Sequence, residues 1–192
     1  MRLNRPLIVL LLALLALLLV SVPASSQEMS GPHAVAEVKN AAGDILGEVT
    51  FTEIAGNKIE IAAELSGLEP GFHGFHVHAV GQCDASTESA FTSAGGHLNF
   101  GEDAATHGKH QGDLPSLLVM ADGTAQLILV TDRFALIDLL DADGSAVIVH
   151  AAADNFGNIP VDRYDPDPDE ATLNTGDAGG RVGCGLVEGA GS

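Results

Sequence analysis

Histidine is the residue type best placed to do chemistry in this chain: there are eight, and most fall into short patterns. Phe75-His76-Val77-His78 sets two imidazoles two residues apart. In a strand, positions i and i+2 share a face, so His76 and His78 would stand side by side with Val77 buried behind them. Two neutral imidazoles on a rigid strand are half of a copper or zinc site. Gly95-Gly96-His97 is followed by His107, His110 and Asp113, so that three imidazoles and a carboxylate lie within 17 residues. That donor set suits a closed site for a divalent ion, zinc above all. Val147-Ile148-Val149-His150 ends an apolar run in another histidine, which taken alone reads as packing.

Such side chains need a frame. Ala34–Lys39, Gly47–Thr52 and Lys58–Leu65 alternate apolar and polar residues, the mark of strands with one wet face. Gly43-Asp44 and Gly56-Asn57 fall between them as turns, and Asp122-Gly123 divides Ser116–Met120 from Ala125–Thr131 as a hairpin. Ala146–His150 and Val182–Val187 add two strands, and Arg133–Leu140 reads as a short helix. The segments Gly81–Leu114 and Ala151–Gly180, each about 30 residues, show no regular pattern, and connections of that length carry function or are disordered. Several short strands with long connections predict an all-β barrel or sandwich.

Lys and Arg number 8 against 26 Asp and Glu, a formal charge of −18, which excludes a nucleic-acid binder or a protein seated on an acidic membrane face. Gly is abundant at 23 and Trp is absent, a profile of turns and small-residue packing, and 192 residues allow one domain. Residues 1–26 read as a signal peptide: Arg2 and Arg5, the apolar run Leu7–Val20, then Ser-Val-Pro-Ala-Ser-Ser with cleavage after Ala24 or Ser26. The run has 14 residues, short of the roughly 20 that a spanning helix needs, so no stable span is expected after processing. Residues 27–33 are then a linker and 34–192 the domain. The removed piece takes two arginines and no acid, leaving a formal −20. Export, to a periplasm, cell envelope or medium, makes Cys83 and Cys184 read as a disulfide rather than two buried thiols.

Taken together, Gly71-Phe72-His73-Gly74-Phe75-His76-Val77-His78, Ser93-Ala94-Gly95-Gly96-His97, His110-Gln111-Gly112-Asp113-Leu114-Pro115 and Gly176-Asp177-Ala178-Gly179-Gly180-Arg181-Val182-Gly183-Cys184-Gly185 resemble the copper/zinc superoxide dismutase family, in order and in spacing. The resemblance runs from about Ala34 to Val187 and is nearest to the exported bacterial branch. It implies a Greek-key β-barrel with two long functional loops, one copper and one zinc per subunit, and superoxide as substrate. By resemblance His76, His78 and His150 are copper ligands, and His97 is the imidazolate that joins copper to zinc and carries a proton during turnover. His107, His110 and Asp113 are the remaining zinc ligands, and Asp154 is the carboxylate that holds one ring on each metal. Arg181 is the guanidinium that attracts and orients the anion. The Cys83–Cys184 disulfide ties the ligand loop to the last strand, His73 braces backbone, and His33, without a counterpart, is a tail residue. A homodimer is the protein partner that the resemblance allows.

Two features depart from the family. His107 and His110 are closer together than these ligands usually are, although all four side chains of the zinc set are present. The loop Val161–Glu170 is strongly acidic, and Asn174 stands before Thr175-Gly176 where the family often has a lysine, so steering rests on Arg181. The alternatives are a copper-only dismutase with an empty zinc loop and a non-catalytic exported copper-binding module. Retention of Arg181, His150 and His97 favours the enzyme.

Overall fold

Alternation builds the first three strands, β1 (His33–Lys39), β2 (Ile45–Ile54) and β3 (Lys58–Leu65), which pair in sequence as an antiparallel meander. Ala34, Ala36 and Val38, then Val49 and Phe51, then Ile59, Ile61 and Ala63 all point inward and are buried. The computed structural model describes residues 33–86, 88–101, 106–157 and 168–190. The expected signal peptide and the linker up to residue 32 lie outside the described residues, as does most of the acidic stretch.

The remaining strands are β4 (Gly71–His73), β5 (Phe75–His78), β6 (Leu117–Val119), β7 (Ala125–Thr131), β8 (Ala146–His150), β9 (Arg181–Leu186) and β10 (Glu188–Gly189). They join in the order β4-β6-β7-β3-β2-β1-β9-β8-β5, with β10 beside β1 and every pairing antiparallel. Only Gly74 separates β4 from β5, so the path begins and ends on one extended segment and the sheet closes into a barrel. The connections β3 to β4 and β7 to β8 pass over neighbouring strands, which is the Greek-key element of the design. Closure removes the open edges that a sheet of this size would otherwise present.

Three expectations need correction. His33 is not a tail residue: it pairs with Thr52 as the first residue of β1, and its carbonyl accepts from the Ala190 N–H. The helix expected over Arg133–Leu140 contracts to α1 (Leu136–Leu139), where the Asp138 carboxylate takes the Ala135 N–H and Leu136 and Leu139 turn inward. The second long loop is not wholly irregular. It holds α2 (Glu170–Thr175), started by Asp169, whose side chain accepts from the Thr172 N–H, and ended by Gly176 in the left-handed region.

Candidate metal centre

Both faces of β5 are buried, for different reasons. Phe75 and Val77 join the barrel core, while His76 and His78 face outward under a cover of loop. One edge of β5 pairs with β8, and the other is completed by the Gly81–Leu114 loop. There Val77 N–H donates to Gly112 O, Leu98 N–H donates to Val77 O, and Ala79 N–H donates to Gly96 O. This lacing brings Asp113 opposite His76 and His97 opposite His78. A loop without period is thereby held as firmly as a strand.

His150 comes from β8, whose five residues are all buried because Val147 and Val149 face the core and Ala146 and Ile148 face the loop cluster of Phe91, Ala94 and Cys184. The ladder between β8 and β9 slips at this point: Val149 pairs with Gly183, but His150 pairs with Arg181, so Val182 is an extra residue. Regular alternation from Gly183, which faces the core, would also aim Arg181 inward. The bulge instead packs Val182 against the core and puts Arg181 on the outer face beside His150.

Two groups of donors result. His76, His78, His97 and His150 offer ring nitrogens that all lie within 4.8 Å of one another, and ring nitrogens of His76, His97 and His107 with a carboxylate oxygen of Asp113 lie equally close. The buried nitrogens His76 Nδ1, His78 Nε2, His97 Nε2, His107 Nδ1 and His150 Nε2 have no hydrogen-bond partner. Each such nitrogen is costly to bury unmet, which is the expected signature of a ligand atom. The opposite nitrogen of each ring is held. His78 Nδ1 meets Gly95 O at 2.9 Å, His150 Nδ1 meets Gly179 O at 3.1 Å, and His97 Nδ1 meets Asp113 Oδ1 at 2.7 Å.

Asp154 links the groups, accepting from His76 Nε2 at 2.5 Å and from His107 Nε2 at 2.6 Å. Gly176 closes over this pair. A Cβ at that position would overlap Asp154 Oδ1 and the His107 ring, so only glycine lets the end of α2 lie there. His110 stands just outside the second group, with its Nδ1 3.2 Å from Asp113 Oδ1. His76 gives its second nitrogen to Asp154, which belongs to neither group, whereas the Nδ1 atoms of His97 and His110 both face Asp113 Oδ1, so His110 is the better fourth member of the second. His107 Nδ1 is also 3.2 Å from Asp113 Oδ1, without the alignment of a hydrogen bond. His73 is buried apart from both groups, with its ring nitrogens at the carbonyls of His150 and Glu69.

The electrostatics separate the two groups. Burial, reinforced by neighbouring imidazoles, lowers His97 to about 4 and His150 to about 3, and pushes His78 well below its ordinary value. Burial would lower His107 too, but the Asp113 and Asp154 carboxylates outweigh it and raise that ring to about 9. Both carboxylates fall below their usual range, because hydrogen bonds from the histidines overcome the opposing effect of burial. In the metal-free protein the depressed His97 and His150 give stability that is present above 6.5 and lost as pH falls toward 4, while His107 gives stability present below 6.5 and lost as pH rises toward 9. Metal-free stability should therefore peak near neutrality. At pH 7 zinc loading should draw a proton from His107, whereas His78, His97 and His150 are already neutral and contribute none when copper is loaded. Proton release followed with a pH indicator during each titration checks this, and equal release by both metals would contradict it.

Arg181 donates from Nη1 to Phe91 O at 2.5 Å and from Nη2 to Gly95 O at 2.6 Å. With His97, His150 and Thr175 it lines a solvent-open cavity of about 370 Å3 above the first group. The carbonyls that hold Arg181 belong to the loop anchored by the Cys83–Cys184 disulfide, whose Cα atoms are 5.7 Å apart. A bond spanning 101 positions contributes roughly 4–5 kcal/mol in the chain-entropy model. Cys83→Ser paired with Cys184→Ser is expected to lower the melting temperature by on the order of 10 °C. Calorimetry measures that shift, and an unchanged melting temperature would refute it.

Sequence reading passed over the carbonyls of Phe91 and Gly95, the Gly176 cover and the Arg133 side chain, which donates to three carbonyls of the His107–Asp113 turn. The Asp169-to-Gly176 cap pair was the one available signal for the second of these; backbone carbonyls and a lone exposed arginine give none.

Among the described residues, no helix is long and apolar enough to cross a membrane. The family model described as copper/zinc superoxide dismutase matches residues 45–187. The chain is 49% identical over 132 residues to "Superoxide dismutase [Cu-Zn]" of Mycobacterium tuberculosis, covering 62% of this chain and 54% of that protein. It thus spans about half the length of its mycobacterial relatives. It is 36% identical over 160 residues to the "Extracellular superoxide dismutase [Cu-Zn]" of Brugia pahangi, covering 80% of this chain and 74% of the other. Among solved structures, a SOD-like protein from Bacillus subtilis matches with a TM-score of 0.63 at 29% identity, over 79% of this chain and 96% of that one. With β2 through β9 and every donor residue inside the matched span, the chain belongs to the copper/zinc superoxide dismutase family.

Proposed function

We propose that this protein is an exported superoxide dismutase, converting two superoxide anions and two protons to O₂ and H₂O₂. The observation that carries the reading is the set of five buried imidazole nitrogens without partners, four of them gathered below the cavity that Arg181 lines. His76, His78, His97 and His150 fit copper; His97, His107, His110 and Asp113 fit zinc. All-nitrogen donors suit copper in both oxidation states, and the mixed imidazole and carboxylate set suits zinc. When bound, copper would supply one-electron exchange between Cu(II) and Cu(I), which zinc cannot.

The chain's own residues do the rest. Arg181 presents a fixed cation to the incoming anion, and its two carbonyl contacts keep the guanidinium from swinging away. His97 is fixed through Nδ1 on Asp113, so its Nε2 can hold a proton at the cavity floor and pass it to the departing peroxide. Asp154 sets the orientation of His76 and His107 together, which couples the geometry of the two sites. The disulfide and the extracellular relative support export. The test is a superoxide-decay assay on purified protein of measured metal content. A protein that holds one copper per chain yet leaves superoxide to its uncatalysed decay would be a binding module.

A further inference from the structure

We propose that Arg133 is a positioning residue for the zinc-side donors, setting how tightly the second site holds its metal. The inference rests on the reading of His97, His107, His110 and Asp113 as that site. Arg133 lies between β7 and α1, far in sequence from any of them. Its guanidinium donates from Nη1 to His110 O at 3.0 Å and to Asp113 O at 2.9 Å, and from Nη2 to Gly108 O at 3.1 Å. Its own N–H is fixed on Thr131 Oγ1 at 3.2 Å.

Three carbonyls from a turn of seven residues are thus gathered on one cation, and the same turn sends His107, His110 and Asp113 the other way. Converging carbonyl dipoles repel one another and stay together only where a donor meets them. The turn's other ties are single bonds: Lys109 N–H to Thr106 O, Asp113 N–H to His110 O, His110 N–H to Asp113 Oδ2, His107 N–H to Leu173 O, Gly112 N–H to Leu98 O, Val77 N–H to Gly112 O and Phe100 N–H to Gln111 Oε1, and Arg133 is the group that gathers three of its carbonyls at once. Only two residues separate His107 from His110 and two more separate His110 from Asp113, so a close turn must aim two imidazoles and a carboxylate at one point. A planar fork can reach three carbonyls at fixed angles, and a lysine ammonium cannot do so equally well. The copper-side rings His76, His78 and His150 stand on β5 and β8, whose ladder with each other sets their places, and the turn meets β5 through the Val77 N–H bond to Gly112 O and the Asp113 bridge to His76. Arg133 should therefore act on zinc and largely spare copper.

The experiment titrates full-length, metal-free protein with Zn²⁺ against a chromophoric chelator, and separately with Cu²⁺ in the same way. Arg133→Ala is expected to weaken zinc by about 10–100-fold while copper changes by less than about threefold. Arg133→Lys, which keeps the charge and the stem, should fall between, with zinc at least about threefold weaker than in the parent. Co²⁺ placed in the zinc site should give a visible spectrum altered from the parent's in both variants. Unchanged zinc affinity in Arg133→Ala, or zinc and copper weakened by the same factor, would overturn the proposal. Should Arg133→Ala not fold, unchanged zinc affinity in Arg133→Lys overturns it equally. A parent that binds copper but no zinc would overturn the zinc-site reading itself, and the role of Arg133 with it.

Discussion

Protein stripped of copper is expected to dismute superoxide no faster than the uncatalysed reaction, and to recover on return of copper but not of zinc. The four rings concerned are already aimed before any metal arrives. His76 is held by Asp154, His78 by Gly95 O, His150 by Gly179 O and His97 by Asp113, each through the nitrogen that does not face the site. All four are buried, and the barrel strands that carry three of them need no metal to pair. Recovery should therefore follow copper binding directly, without a refolding phase. Stopped-flow superoxide decay on depleted, copper-returned and zinc-returned samples measures this. Full activity in the depleted or zinc-only sample would end the assignment.

The second large effect belongs to Arg181. A chain of formal charge −18 repels small anions, and one half-buried guanidinium at the cavity must offset that repulsion locally. Arg181→Glu reverses the field where the substrate arrives and should lower the second-order rate by on the order of a hundredfold. Arg181→Lys keeps the charge but loses the fork that grips Phe91 O and Gly95 O, so a smaller loss of several-fold is expected. Salt separates the fields: added ionic strength should slow the parent modestly, by screening its attraction, and speed the glutamate variant, by screening its repulsion. Equal rates in all three proteins at equal copper content would show that Arg181 does not meet the substrate.

Much of this was legible in the residues. Period-2 alternation located β1, β2 and β3 closely, because one wet face leaves a mark at every second position, and the Asp122-Gly123 turn located β7. His76 and His78 were legible for the same reason, since a strand sends i and i+2 one way. His97, His107, His110 and Asp113 could be grouped by type and nearness, but not their lacing onto β5, which is made by backbone atoms that any residue carries. The three-residue strand β4 was too short to show a period. Arg133 was invisible because its partners are carbonyls some 20 positions away. The slip in β9 leaves no sequence sign either: Gly-Arg-Val-Gly-Cys reads as well for a regular strand as for a bulged one.

That slip gives Val182 an unusual place in the history a protein like this can have. Straightening the bulge with Val182 kept in the chain would pair His150 with Val182 and make the ladder with β8 regular to its end. It would also turn Arg181 toward the interior, where a cation has no partner. Selection for durability alone would erase the irregularity, and selection for turnover alone would keep it. One surplus peptide thus sits where the two demands oppose each other, and its persistence in a chain records which demand has prevailed.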